Sequence, residues 1–170
     1  MQVDGDRIDR IRAQWAQECP NLDTAPMEII GRILRAEHLA DGPIRRTLRQ
    51  HRLDRGGFDV LATLRRSGPP YQLTPTQLYE DLVLTSGAIT HRVDALQRLG
   101  LVERVSGQPD RRSMRVGLTA KGKKLIDRAL GAHLECEQAL IAGLSPAERN
   151  RLAVLLRKVL LEIEEQHERQ

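Results

Sequence analysis

Aromatic side chains are scarce in this chain, only 2% of 170 residues. A core must therefore be built from Leu, Ile, Val and Ala, which favours packed helices over an all-β sandwich. Cysteine is rarer still: Cys19 and Cys136 stand far apart without a Cys-x-x-Cys pair, so neither a disulfide framework nor a zinc site is indicated. Two small buried side chains are the plain reading of them, and a redox switch at either one is the alternative. No apolar run approaches the length of a membrane span, and the start Met1-Gln2-Val3-Asp4-Gly5-Asp6 lacks the apolar stretch of a signal peptide. A cytoplasmic protein without a membrane partner is expected. His38, His51, His91, His133 and His167 have no nearby nucleophile motif, metal-ligand spacing or phosphate-cradling glycine loop, so no enzymatic activity, cofactor or metal is expected.

What the chain does have is unevenly placed charge. Lys+Arg against Asp+Glu runs 5 to 7 over residues 1–40, 7 to 3 over 41–66, 9 to 5 over 67–124 and 6 to 8 over 125–170. The middle is thus +8 and the two ends together −4, the pattern of a central module that meets a polyanion while the ends meet each other.

Apolar spacing of three to four predicts a helix over Ile8 to Gln17 and a second from Thr24 through Met27, Ile30 and Leu34, which Asp41-Gly42-Pro43 breaks or kinks. Arg45, Arg46, Arg49, Arg52 and Arg55 follow as a basic stretch, read by default as a solvated helix face. Asp54 caps the next helix, with Phe58, Leu61 and Leu64 on one side. Thr74-Pro75-Thr76-Gln77 is a capping box for a short helix to about Asp81, and Leu82-Val83-Leu84 makes the turn into another helix, capped by Thr85 or Ser86, with Ile89, Val93 and Leu96 on one stripe. Gly100 suits the left-handed position past its end. Two helices so closely joined are a helix-turn-helix candidate. Leu101 to Val105 and Met114 to Leu118 then form a hairpin around a polar loop holding Asp110-Arg111-Arg112. Thr119 caps a further helix. Ser145-Pro146-Ala147-Glu148 opens the last one, whose broad face of Leu152, Leu155, Leu156, Val159, Leu160 and Ile163 calls for a two-fold partner.

The expected class is mainly α with a small two-stranded β wing: a winged helix-turn-helix domain over residues 51–120, N-terminal helices over 1–50 and C-terminal dimerisation helices over 121–170. With Ile89, Val93 and Leu96 turned inward, Gly87, Thr90, His91 and Asp94 project outward and Arg92 lies at the edge. Thr90 and His91 are placed to donate to base edges, Arg92 to guanine or phosphate, and Thr85 and Ser86 to hold a phosphate. Asp94 faces along the groove edge, where phosphate repulsion leaves it nothing to gain. Arg111 and Arg112 suit the minor groove.

Leu73-Thr74-Pro75-Thr76-Gln77-Leu78, Leu84-Thr85-Ser86-Gly87-Ala88-Ile89-Thr90, Arg98-Leu99-Gly100-Leu101-Val102-Glu103-Arg104, Asp110-Arg111-Arg112-Ser113 and Val116-Gly117-Leu118-Thr119-Ala120-Lys121-Gly122 resemble the MarR family of winged-helix transcription regulators. The resemblance implies a homodimer formed through the terminal helices, bound to double-stranded DNA at a pseudo-palindromic operator, usually repressing, and released by a small anionic or phenolic effector. His91 stands where the similar subgroup often has asparagine, and Tyr79 where a small residue is common. That subgroup, the urate-responsive PecS type, implies an effector site at Trp15, Asp59, Arg66 and Arg104. Asp59 and Arg66 lie two turns apart on one helix face, which the N-terminal helix would cover to make a cleft. The alternatives are a winged helix used only for protein association, or a redox-responsive regulator using Cys19 or Cys136.

Overall fold

The computed structural model describes residues 5–82, 89–106 and 114–169. Its first helix, α1 (Arg7–Glu18), begins at a reciprocal cap: the Asp6 carboxylate accepts from the Ile8 and Asp9 amides, and Asp9 accepts from the Asp6 amide. Only Ile8 of α1 is buried, so the helix is held to α2 (Ala25–Gln50) largely by charge. Arg32 of α2 bonds Asp6 at 2.7 Å and Asp9 at 2.6 Å, while Arg12 pairs with Glu28.

The expected break at Asp41-Gly42-Pro43 does not occur: α2 continues as one helix through it. Proline costs one backbone bond, but Gly42 before it carries no Cβ to crowd the ring, and α2 packs along the later helix α6 (Ala120–Leu140). The chain leaves α2 by a left-handed Arg52, φ 58°, with the Leu53 amide bonded back to the Leu48 carbonyl at 3.1 Å. That places Asp54 to cap α3 (Arg55–Arg66) through the Gly57 amide at 2.7 Å.

The remaining elements are β1 (Gln72–Leu73), α4 (Pro75–Asp81), α5 (Ile89–Arg98), β2 (Val102–Ser106), β3 (Met114–Leu118) and, after α6, α7 (Pro146–Glu168). The expected two-stranded wing is part of a three-stranded antiparallel sheet of order β1-β3-β2. Its registers put Gln72 opposite Gly117 and Val102 opposite Leu118. A two-residue strand is too short to show alternation in sequence; burial of Leu73 and the absent Gly117 side chain, whose space Gln72 and Val105 occupy, let it pair.

Leu48, Leu61, Leu64, Leu78 and Ile126 are fully buried, so α2, α3, α4 and α6 share one core into which the inner faces of α5 and the sheet fit. Gly122 at the start of α6 lies against the Leu101 carbonyl, where any side chain would collide with backbone. By contrast, no residue of α7 is buried. No helix of the described residues is long and apolar enough to cross a membrane.

One ion pair ties the core helices at their outer edge: Arg65 of α3 bonds Asp127 of α6 at 2.7 Å, with Lys123 at 3.6 Å. The hydrogen bond from Arg65 is the main reason the Asp127 carboxyl sits below its ordinary 3.8. A lowered folded-state value means that the contribution is present above pH 3.8 and is lost as pH falls through the folded-state value. Acid unfolding followed by circular dichroism should therefore be less steep below that pH in Asp127→Asn than in the parent protein.

Candidate nucleic-acid interface

The helix-turn-helix is built from strong local signals. Thr74 accepts from the Gln77 amide at 3.2 Å and Gln77 accepts from the Thr74 amide at 3.0 Å, and Leu78 then plugs α4 into the core. α5 is fixed by Val93 and Leu96, 3% and 4% exposed, with Ile89 half-buried beside them. It ends as expected: Gly100 takes φ 68° and the Leu101 amide bonds the Leu96 carbonyl at 2.9 Å. With that stripe inward, Thr90 and His91 are exposed. Thr85, Ser86, Gly87, Arg111 and Arg112 lie outside the described residues.

Arg92 does not simply edge the exposed strip. Its guanidinium and Cδ fold back over Gly56 of α3, occupying the space a Cβ would need. It thereby separates two cavities. One, about 450 Å³, lies between the α2–α3 turn and α5 and is lined by Arg52, Leu53, His91, Ala95 and Leu99 among others. The second, about 270 Å³, gathers Arg45, Arg49, Arg55 and Arg92 around the start of α3, with Asp54 the one acidic residue lining it among the described residues. Arg45, Arg46, Arg49 and Arg52 are exposed, as a solvated face requires, but the left-handed turn at Arg52 folds α3 back, so Arg45, Arg49 and Arg55 also line one cavity with a residue of a different helix. Sequence spacing carried no sign of this, because Gly56 and Arg92 meet only through the tertiary fold. Arg55 is partly neutralised by Asp41 at 2.9 Å and Glu37 at 3.5 Å.

Asp94 has a partner that the sequence reading did not name. It is half-buried, and its Oδ1 accepts from Arg104 Nη2 at 2.6 Å, joining α5 to β2. Of the residues expected around an effector, Arg104 is thus engaged with α5. Arg66 donates to the carbonyl of Asp81 at the end of α4, and Trp15 is 41% exposed on α1. Asp59 is buried at 7% exposure beside a cavity of about 230 Å³ lined by Ile44, Leu48, Arg55, Phe58, His133 and Glu137. The cover over that stretch of α3 comes from α2 and α6, where the N-terminal helix was expected. Asp59 and Arg66 share a helix face, but near the opposite ends of α3 their neighbours are different. Cys19 is exposed and Cys136 half-buried.

The MarR family pattern matches residues 53–113, the stretch from the α2–α3 turn through the wing loop. The regulator PecS of Dickeya dadantii is 36% identical over 152 residues, 89% of this chain and 92% of PecS. This chain belongs to the MarR family. BpsR of Bordetella bronchiseptica, a structure concerned with regulation of DNA binding by 6-hydroxynicotinic acid, superposes with a TM-score of 0.69 at 25% identity, covering 78% of this chain and 94% of BpsR. A mutant MarR of Escherichia coli complexed with operator DNA gives 0.68 at 28% identity, covering 81% of this chain and 99% of that one.

The cap at Asp54 holds the amide of Gly57, next to the glycine on which Arg92 rests. Asp54→Ala should lower the free energy of unfolding in urea by about 1 kcal/mol, the usual worth of an N-cap.

Proposed function

We propose that this chain is a dimeric transcriptional repressor that grips a pseudo-palindromic operator with one winged helix-turn-helix per subunit and is released by a small anion, urate being the first candidate. The observation that carries it is the presentation of α5: Val93 and Leu96 lock the helix to the core while Thr90 and His91 stand exposed beside Arg92. Such a helix places polar side chains on base edges in the major groove, and its net +8 surroundings, residues 41–124, favour the phosphate backbone. Thr85, Ser86, Gly87, Arg111 and Arg112, which lie outside the described residues, are added to this contact by the sequence reading alone. Operator binding in the MarR structure above is consistent with this use of the fold.

Dimerisation is supported by α7. Leu152, Leu155, Leu156, Leu160, Leu161 and Ile163 are all 40% exposed or more, an apolar face that a second copy would cover. For the effector, the cavity of Arg45, Arg49, Arg55 and Arg92 supplies guanidinium groups suited to a planar anion, and Arg55 also borders the Asp59 cavity. In this reading Arg92 takes the role that the family resemblance gave to Arg66, while Trp15, Asp59 and Arg104 remain the residues that would feel the ligand. An anion drawn to Arg92 pulls on α5, so binding there and binding to DNA are coupled.

Fluorescence anisotropy with the DNA flanking the coding region tests both halves. Affinity should fall linearly with log salt, by about 0.9 decades per decade of salt for each phosphate contacted. Urate should release the complex, and Arg49→Ala should need about tenfold more urate while still binding the duplex. A chain that is monomeric, or indifferent to duplex at low salt, overturns the DNA reading; a complex untouched by urate overturns the choice of effector.

A further inference from the structure

A carboxylate on a helix that faces DNA needs explaining. Asp94 lies four positions after Thr90 and three after His91, so it falls on the same strip of α5 one turn further along. Left bare, its charge would repel the phosphate backbone at every approach. The bond from Arg104 removes that objection: Nη2 meets Oδ1 at 2.6 Å with both side chains about 40% exposed, at 42% and 40%, so the pair is open to a ligand rather than sealed in the core. Arg104 is itself well seated. It stands on β2 opposite Val116, which is 3% exposed in the sheet's inner face, so the guanidinium projects from a fixed root. The second carboxylate oxygen, Oδ2, has no partner among the described residues. An acid whose charge is balanced on one oxygen and whose other oxygen has no partner among the described residues is an acceptor able to approach a polyanion.

The major groove offers such an acceptor two complementary partners, the N4 amino group of cytosine and the N6 amino group of adenine, and two mismatched ones, the keto oxygens of guanine and thymine. The geometry points to Asp94 as a specificity-determining residue that selects an amino base at one position of each half-site, with Arg104 as the positioning residue that orients it and balances its charge. This rests on the DNA-binding reading above, with α5 as the helix in the groove. It assigns Asp94 a contact of its own, beyond the outward donors on that helix, and gives the wing strand a part in base selection without touching a base.

The test is selection of duplexes from a randomised library by the full-length protein, followed by competition between the selected site and its single-base variants. The parent protein should favour cytosine or adenine at one symmetry-related pair of positions. Asp94→Ala should level the preference there by about fivefold to a hundredfold and leave the other positions unchanged. The isosteric Asp94→Asn distinguishes the two amino bases: preference moving to adenine identifies cytosine as the parent's partner, because an amide pairs with adenine N6 and N7. Preference already at adenine and kept there identifies adenine. Arg104→Gln should weaken discrimination at that same position, and should have no further effect on it in the Asp94→Ala background. If Asp94→Ala and Asp94→Asn both keep every base preference of the parent, the pair is only a strut between α5 and β2 and the proposal is overturned, whatever happens to affinity or melting temperature. If the parent selects no sequence at all, it is the DNA-binding reading that has failed, and the inference falls with it.

Discussion

The close approach of Arg92 to Gly56 is the contact on which the functional geometry turns. A side chain at position 56 would occupy the room the guanidinium takes, so the start of α3 is bare where α5 must lie against it. Gly57 next to it gives its amide to Asp54, and Leu96 packs close by. The same few residues therefore cap one helix, bury the anchor of another and hold an arginine between two cavities. A shift of α5 relative to α3 cannot occur without disturbing all three.

Charge gives this arrangement its purpose. Arginine density in the middle of the chain suits long-range attraction to a polyanion, yet the individual guanidiniums are not equivalent. Arg55 is committed to Asp41 and Glu37, Arg65 to Asp127 and Arg104 to Asp94. Arg45, Arg49 and Arg92 converge on one small cavity, and among the described residues Arg45 alone of these has an acidic ion-pair partner, Asp41 at 3.4 Å, on a side chain that is 56% exposed. Exposed pairs of this kind contribute little to stability, so a ligand anion competes with them at low cost. The helices that carry the cavity are packed through their apolar faces, and the ion pairs lie on their outer surface.

Much of the architecture was legible in local chemistry. Asp54, Thr74 with Gln77, Thr119 and Ser145 with Glu148 all cap the helices they were expected to cap, and Gly100 adopts the left-handed turn that ends α5. These are signals between near neighbours, where residue type alone decides. The misses involve distant partners. Continuity of α2 through Pro43 depends on α6, pairing of β1 depends on a gap at Gly117, and the convergence of arginines on Arg92 depends on Gly56. Asp94 looked unrewarded because Arg104 is ten residues away on a strand. Periodicity likewise puts Asp59 and Arg66 on one face without showing their neighbours, α2 and α6 around Asp59 and the end of α4 at Arg66.

Arg92 has a flexible side chain, so a methyl group added at Gly56 should displace it while leaving the backbone of both helices in place. The decisive measurement is the duplex affinity of Gly56→Ala alongside its thermal melt. A melting temperature close to the parent's with affinity weakened about tenfold, equivalent to about 1.4 kcal/mol, is the predicted result. Full parental affinity in a protein shown to have Arg92 displaced would contradict the account.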